Sequence, residues 1–334
     1  MIELKAAALV TNKTPLERLS RLSEKFDVDL WVKRDDLAGT TLGGNKSRQL
    51  EYYLGDALSK GADTILITGA VQSNFVRTAA ASASKLGLRT IVQLEARVPG
   101  QDAIYQTSGN VLITHLLGAE ITNYPVGEDE VGADAALRDR ADTERKKGCI
   151  PYVIPLALGN PPLGALGYVK AAEEIMRQKP DFDVVVVASG SGLTHAGLLT
   201  GLVAHGFSGR VIGSCVRRDA SLQRKRIRTV LDDLAKLIEP ISNLPSTLID
   251  VWDGALAPGY GQIGHKALSA LKLMARSEGL ILDPVYTAKV FAAIPDLVES
   301  GEIAKGSRVL FVHTGGLASL FAYQTDFERL LNLA

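Results

Sequence analysis

Cysteine is scarce in this chain of 334 residues: only Cys149 and Cys215 occur. They form no CxxC pair and no spacing suited to zinc, so they are expected to be reduced, buried thiols in a cytoplasmic protein. Excess charge of one sign is missing as well. The 37 Lys and Arg residues balance 37 Asp and Glu residues, leaving a net charge of zero. Such a chain has no global field for nucleic acid or an acidic membrane surface, and neither is expected as a partner. Apolar runs such as Val184 to Ala188 fall far short of the roughly 20 residues that span a bilayer. The opening MIELKAAALVTNK places Glu3 and Lys5 before an apolar stretch too short for a secretion signal. His115, His195, His205, His265 and His313 show no HExxH or other ligand spacing, which argues against a metal site. No internal repeat is visible.

The length allows about two domains and a core that needs no disulfide or metal. Short β-branched runs alternate with helical patterns, the signature of α/β architecture with mainly parallel sheets flanked by helices. Ile65 to Ile67, Thr90 to Leu94, Tyr152 to Ile154, Val184 to Val187, Val211 to Val216 and Val309 to Val312 read as strands. Leu50, Tyr53, Leu54 and Leu58, and again Val290, Phe291, Ile294 and Leu297, carry the helical period and read as core faces. The charged region from Gly127 to Lys147 reads as a solvated loop and helix face. Asp35 and Asp36, adjacent in sequence, read as polarity at a turn and strand end rather than a catalytic pair.

Three loops carry chemistry. In VVVVASGSGLTHAG, from Val184 to Gly197, a strand runs through a Gly/Ser turn into a helix, presenting free N–H groups and a positive helix end to an anion. The third glycine of a GxGxxG would fall on His195 and no Walker lysine follows, so dinucleotide and triphosphate folds are not supported; a tight structural turn remains an equal reading. In Gly43-Gly-Asn-Lys-Ser-Arg48, Lys46 stands at a helix start, where the positive end favours the neutral amine a Schiff base requires. In Gly69-Ala-Val-Gln-Ser-Asn-Phe75, Gln72, Ser73 and Asn74 either cap a helix or bind a carboxylate.

Taken in order with TPLER at Thr14, VKRDD at Val32, GALGYV at Gly164, APGYG at Ala257, LDPVYTAK at Leu282 and VHTGG at Val312, these loops run nearly the length of the chain. The sequence resembles the pyridoxal-phosphate enzymes that include D-cysteine desulfhydrase and 1-aminocyclopropane-1-carboxylate (ACC) deaminase, of the tryptophan-synthase-β-like fold. The resemblance implies pyridoxal 5'-phosphate bound by Lys46 as a Schiff base, with the freed amine later moving the Cα proton. It implies Asn45 and Asn74 near the ring oxygen, and Ser189, Gly190, Ser191, Gly192, Leu193 and Thr194 as the phosphate cradle. Gln72, Ser73 and Asn74 would seat the substrate carboxylate, Ser73 also being placed for proton transfer. Tyr260 and Tyr286 would face the substrate.

Where ACC deaminases carry an acidic and an apolar residue near the ring nitrogen, this chain has Thr287 and Thr314. A hydroxyl does not enforce a protonated ring, which suits β-elimination better than opening a cyclopropane. The resemblance therefore implies a carbon–sulfur lyase acting on a small amino acid, D-cysteine by default. L-cysteate, 3-chloroalanine or another β-substituted alanine is an alternative substrate, and ACC deamination or a non-catalytic anion-binding relative is a further one. Phe75 and Leu193 depart from the family pattern, and a leucine in a turn that favours positive φ predicts an altered cradle. The segment Pro155 to Leu163 is proline-rich and stiffer than the family's. The resemblance also implies a homodimer, and a large domain of residues 1–50 and 158–334 interrupted by a small inserted domain of residues 51–157.

Overall fold

The computed structural model describes residues 5–238 and 244–332. Among the described residues ten strands form two sheets. The larger contains β1 (Leu16–Arg18), β2 (Asp29–Lys33), β7 (Val184–Ser189), β8 (Arg210–Cys215), β9 (Asp250–Trp252) and β10 (Arg308–Val312), in the order β1-β2-β10-β7-β8-β9. Only the β1–β2 pairing is antiparallel. The smaller contains β3 (Thr64–Ala70), β4 (Arg89–Glu95), β5 (Glu120–Tyr124) and β6 (Pro151–Ile154), ordered β5-β4-β3-β6 and all parallel. The chain thus has two α/β domains, as expected.

The six strands read from the sequence all exist. β1, β2, β5 and β9 were not legible: β1 and β9 have three residues each, and no residue of β5 is buried, so it lacks an apolar signature. Successive valines of β7 explain why a run without alternation is a strand. Val184 and Val186 pack into one core layer, Val185 and Val187 into the other, and helices cover both faces. Of the first helical stripe, Leu50, Tyr53 and Leu54 are buried but Leu58 is exposed. The second stripe is buried throughout yet runs over two short helices, Thr287–Phe291 and Ala293–Glu299.

Two expectations about charge need correction. The helix Glu130–Lys146 is not simply solvated, because Ala133, Asp134, Leu137, Ala141 and Glu144 are buried against its own sheet. Asp35 is a buried hub: it accepts hydrogen bonds from Thr14, Arg48 and Tyr168. Both cysteines are free thiols; Cys215 is buried and Cys149 only partly so. Among the described residues no helix is long and apolar enough to cross a membrane, and no group of ligands could hold a metal ion.

Candidate active site

Ligands of parallel sheets gather beyond the carboxyl ends of the strands, and five such ends converge on one cavity here. β3 leads to Ser73 and Asn74, β4 to Arg97, β6 to Pro155, β7 to Gly190 through Thr194, and β10 to Thr314. Phe75, Tyr260 and Tyr286 complete the wall around Lys46. The cavity holds about 1270 Å³ of atom-free space including its mouth. That is ample for a cofactor and a small substrate.

Lys46 is the second residue of the helix Asn45–Ser59, which follows a contorted turn. Thr41 and Leu42 both have left-handed φ, a strain typical of functional loops. Gly43 comes next at φ +60, where a Cβ would lie 1.7 Å from the Asp36 carbonyl oxygen. The buried Arg77 donates to the carbonyls of Thr41 and Gly43 and holds this turn in place. Lys46 Nζ donates to Gln49 Oε1 at 3.1 Å and has no acidic partner among the described residues. Desolvation lowers the amine to about 8, which makes a neutral nucleophile accessible near physiological pH.

Opposite Lys46, the turn after β7 opens the helix Leu193–Ala204. No side chain caps this helix, so its first N–H groups are free for an anion. Gly192 supplies the left-handed residue at φ +99, and Leu193 is the first helical residue. The leucine therefore meets no positive-φ strain. Thr194 Oγ1 accepts from Asn45 Nδ2 and Gln49 Nε2, each at 2.8 Å, tying the turn to the lysine helix. Behind the turn, Ser189 Oγ bonds to His195 Nδ1 at 3.1 Å and accepts from Gln223 Nε2 at 2.8 Å. Burial pushes His195 down to about 4, so this support stays neutral.

A second helix end faces the cavity at Asn74–Lys85. Ser73 is its N-cap, accepting from Val76 N at 3.2 Å, and Asn74 Oδ1 accepts from Asn110 Nδ2 at 3.0 Å. Tyr260 and Tyr286 hydroxyls lie 2.6 Å apart with their rings edge to face. Burial pushes Tyr286 well above the ordinary phenol value, and Tyr260 reinforces this.

The expected site residues thus separate into two groups. Asn45, Lys46, Ser73, Asn74, Gly190, Ser191, Gly192, Leu193, Thr194, Tyr260, Tyr286 and Thr314 line the cavity together. Gln72, Ser189 and Thr287 are not among its lining. Gln72 staples the backbone of Tyr105, Ser108 and Asn110, and Thr287 Oγ1 donates to Asp283 Oδ1 at 2.7 Å. Phe75 and the stretch from Pro155 to Pro162 do face the cavity.

Sequence reading missed Lys289, although it ends the LDPVYTAK motif. It is buried, and its Nζ donates to the carbonyls of Leu256 and Gly259, at 3.0 and 2.6 Å, fixing the loop that carries Tyr260. Three arginines of the wall, Arg97, Arg217 and Arg226, were missed too. For Arg97 a signal existed, since it lies just past the carboxyl end of a strand.

The family description "Pyridoxal-phosphate dependent enzyme" matches residues 8–315. D-cysteine desulfhydrase of Yersinia pestis (strain Pestoides F) is 42% identical over 318 residues, 94% of each chain. That of Serratia proteamaculans (strain 568) is 40% identical over 319 residues, again 94% of each. The crystal structure of an ACC deaminase homologue superposes with a TM-score of 0.87 at 35% identity, covering 99% of this chain and 97% of that one. O-ureido-L-serine synthase shares the fold, with a TM-score of 0.67 at 18% identity and coverage of 94% and 93%.

Pyridoxal 5'-phosphate requires an amine for its aldehyde, a cradle for its phosphate and polar neighbours for its ring. Lys46 with its desolvated amine, the uncapped helix end at Gly192, and Asn45, Asn74 and Thr314 fit those three requirements. The chain belongs to the family of pyridoxal-phosphate dependent enzymes, on the side that holds D-cysteine desulfhydrase and the ACC deaminase homologue.

Proposed function

We propose that this chain catalyses α,β-elimination of a β-substituted amino acid, with D-cysteine converted to pyruvate, ammonia and hydrogen sulfide. The observation that carries the reading is the desolvated Lys46 amine, facing one cavity with two helix N-termini and the Tyr260–Tyr286 pair. The named activity of relatives more than 40% identical over most of the chain supports the substrate. Bound pyridoxal 5'-phosphate supplies the electron sink that makes the Cα–H bond acidic.

Lys46 would hold the cofactor, and its free amine is placed to take the Cα proton. The helix end at Ser73 and Asn74 seats the substrate carboxylate, where N–H groups and the helix dipole favour negative charge. Ser73 Oγ is a second group within the same wall for proton transfer. The N–H groups from Gly190 to Thr194 receive the cofactor phosphate, backed by Ser189. Tyr260 and Tyr286 face the β-substituent; a phenol held protonated by burial can donate to a departing thiolate. Gln72 acts by bracing the carboxylate loop. Since the Thr287 hydroxyl is engaged by Asp283, Thr314 is the neutral hydroxyl left for the ring-nitrogen region.

The small domain is taken to run from residue 51 to 157, supported by the smaller sheet lying wholly between Thr64 and Ile154. A cytoplasmic homodimer is the proposed working form. The test is keto acid and ammonia release from D- and L-cysteine, cysteate, 3-chloroalanine, serine and ACC. Lys46→Ala is expected to lose both activity and the visible absorbance of the lysine-bound cofactor. A wild type that stays colourless with added cofactor overturns the reading, and preferred turnover of ACC overturns the choice of reaction.

A further inference from the structure

The chain between β9 and the helix His265–Glu278 forms neither helix nor strand, yet it holds Tyr260 with its hydroxyl 2.6 Å from that of Tyr286. Its own backbone supplies few bonds for this. Within the loop, Leu256 N donates to Asp253 O and Gln262 N to Gly259 O, the second at 3.4 Å. Ala257, Pro258 and Gln262 are exposed. The loop is held from outside instead, at three carbonyl oxygens. Lys289 Nζ donates to Leu256 O and Gly259 O, and Tyr323 Oη donates to Gly261 O at 2.7 Å. The carbonyls on either side of Tyr260 are therefore each fixed by a buried side chain.

Lys33 and Arg48, also buried, meet the carboxylates of Glu174 and Asp35. Lys289 is fully buried and bonds only to the two carbonyls among the described residues. Asp283 acts on it through space, its oxygens being taken by the N–H groups of Val285, Tyr286 and Thr287. An ammonium sealed from water without a carboxylate is costly, and a methionine would pack there without that cost. What the charge supplies is attraction to several carbonyl oxygens at once, as for a potassium ion whose hydration shell carbonyls have replaced. Lys289 also lies three residues past Tyr286, at whose carbonyl the same short helix opens. One cation thus ties the helix of Tyr286 to the loop of Tyr260.

We propose that Lys289 is a positioning residue that serves as a built-in monovalent cation, fixing the Tyr260 loop against the helix of Tyr286 and so setting the two phenols at bonding distance. The effect on turnover rests on the elimination reading above; the effect on the loop does not. Cutting the side chain back to alanine leaves two carbonyl oxygens facing a space that a free potassium or ammonium ion fits. Supplying that ion restores the loop and, with it, the phenol pair.

The test uses the cofactor-loaded protein at constant ionic strength, with tetramethylammonium chloride as the inert salt and potassium chloride as the probe. It is run near pH 7, below the value of about 8 to which burial lowers the Lys289 amine. Hydrogen exchange of residues 253–264 is expected to accelerate by about tenfold or more in Lys289→Met and Lys289→Ala. Potassium should restore protection in Lys289→Ala alone, because methionine fills the space. The kcat for keto-acid release from D-cysteine or 3-chloroalanine should follow the same pattern, falling by about tenfold while KM stays within about threefold. Wild type should not respond to potassium, and in Tyr260→Phe/Lys289→Ala the gain in kcat should vanish. Lys289→Met keeps the packing of the stem, so its result stands even where the space left in Lys289→Ala prevents folding. Wild-type exchange in Lys289→Met overturns the proposal, as does a Lys289→Ala protein indifferent to potassium or a potassium gain that survives Tyr260→Phe. A wild type that releases no keto acid overturns the elimination reading instead, and hydrogen exchange still decides the part played by Lys289.

Discussion

The Nζ of Lys46 lies 5.2 Å from the ring centroid of Phe75. Two opposed effects meet there. The apolar ring helps to strip water from the amine, which favours the neutral form, while the ring face attracts the ammonium. Burial by itself lowers the amine to about 8.

Phe75→Leu tests this balance, because it keeps the apolar wall and removes the ring face. A cation–π contact is worth roughly 0.5 to 2 kcal/mol, so the Lys46 amine is expected to fall by about 0.5 unit or more. The pH midpoint for cofactor uptake by the apo protein should move down accordingly. An upward shift would mean that the ring acts mainly by excluding water.

Burial also lowers Lys289 to about 8. The unfolded chain holds more protons on Lys46 and Lys289 between pH 8 and the model value 10.5, so both favour folding as pH rises through that window. Each contributes on the order of 3 kcal/mol across it. Urea midpoints of the apo protein from about pH 8 upward should show a shallower rise in Lys46→Met than in wild type. Parallel curves would show that Lys46 does not titrate there.

Arg48, two residues beyond Lys46, bonds Asp35, Glu174 and Thr14 inside the core. Arg48→Met leaves the buried Asp35 carboxylate without its cation and should cost about 3 to 5 kcal/mol. Adding Asp35→Asn should recover part of that. A denaturant midpoint that does not move would show the network to be dispensable.

Gly192→Ala places a Cβ 3.3 Å from Ile227 and Val230 at a left-handed φ of +99. The strain is worth about 1 to 2 kcal/mol and falls on the proposed phosphate cradle. Cofactor dissociation, followed by loss of visible absorbance, should accelerate, while Gly206→Ala, at an open left-handed position, should leave it unchanged. Equal dissociation rates in the two variants would separate this turn from cofactor binding.

The sequence alone determined the alternation of strands and helices, because a parallel strand buried on both faces must be a continuous β-branched run. It also marked the lysine and the glycine turns as candidates by residue type and local order, and the two tyrosines through the family resemblance; all of them line one cavity. β5 escaped because it buries no side chain. Only the tertiary structure decided which polar residues face the cavity and which support it. Gln72 and Ser189 stand in the expected motifs but meet buried partners from other elements, whereas Thr287 is taken up locally by Asp283, four residues before it. Arg97 and Arg217, each just past the end of a strand, and Lys289, at the end of LDPVYTAK, carry no local sign of the partners they meet. They gain their place because separate strand ends converge, and removing a charge from water makes each one's function depend on the partners folding brings to it.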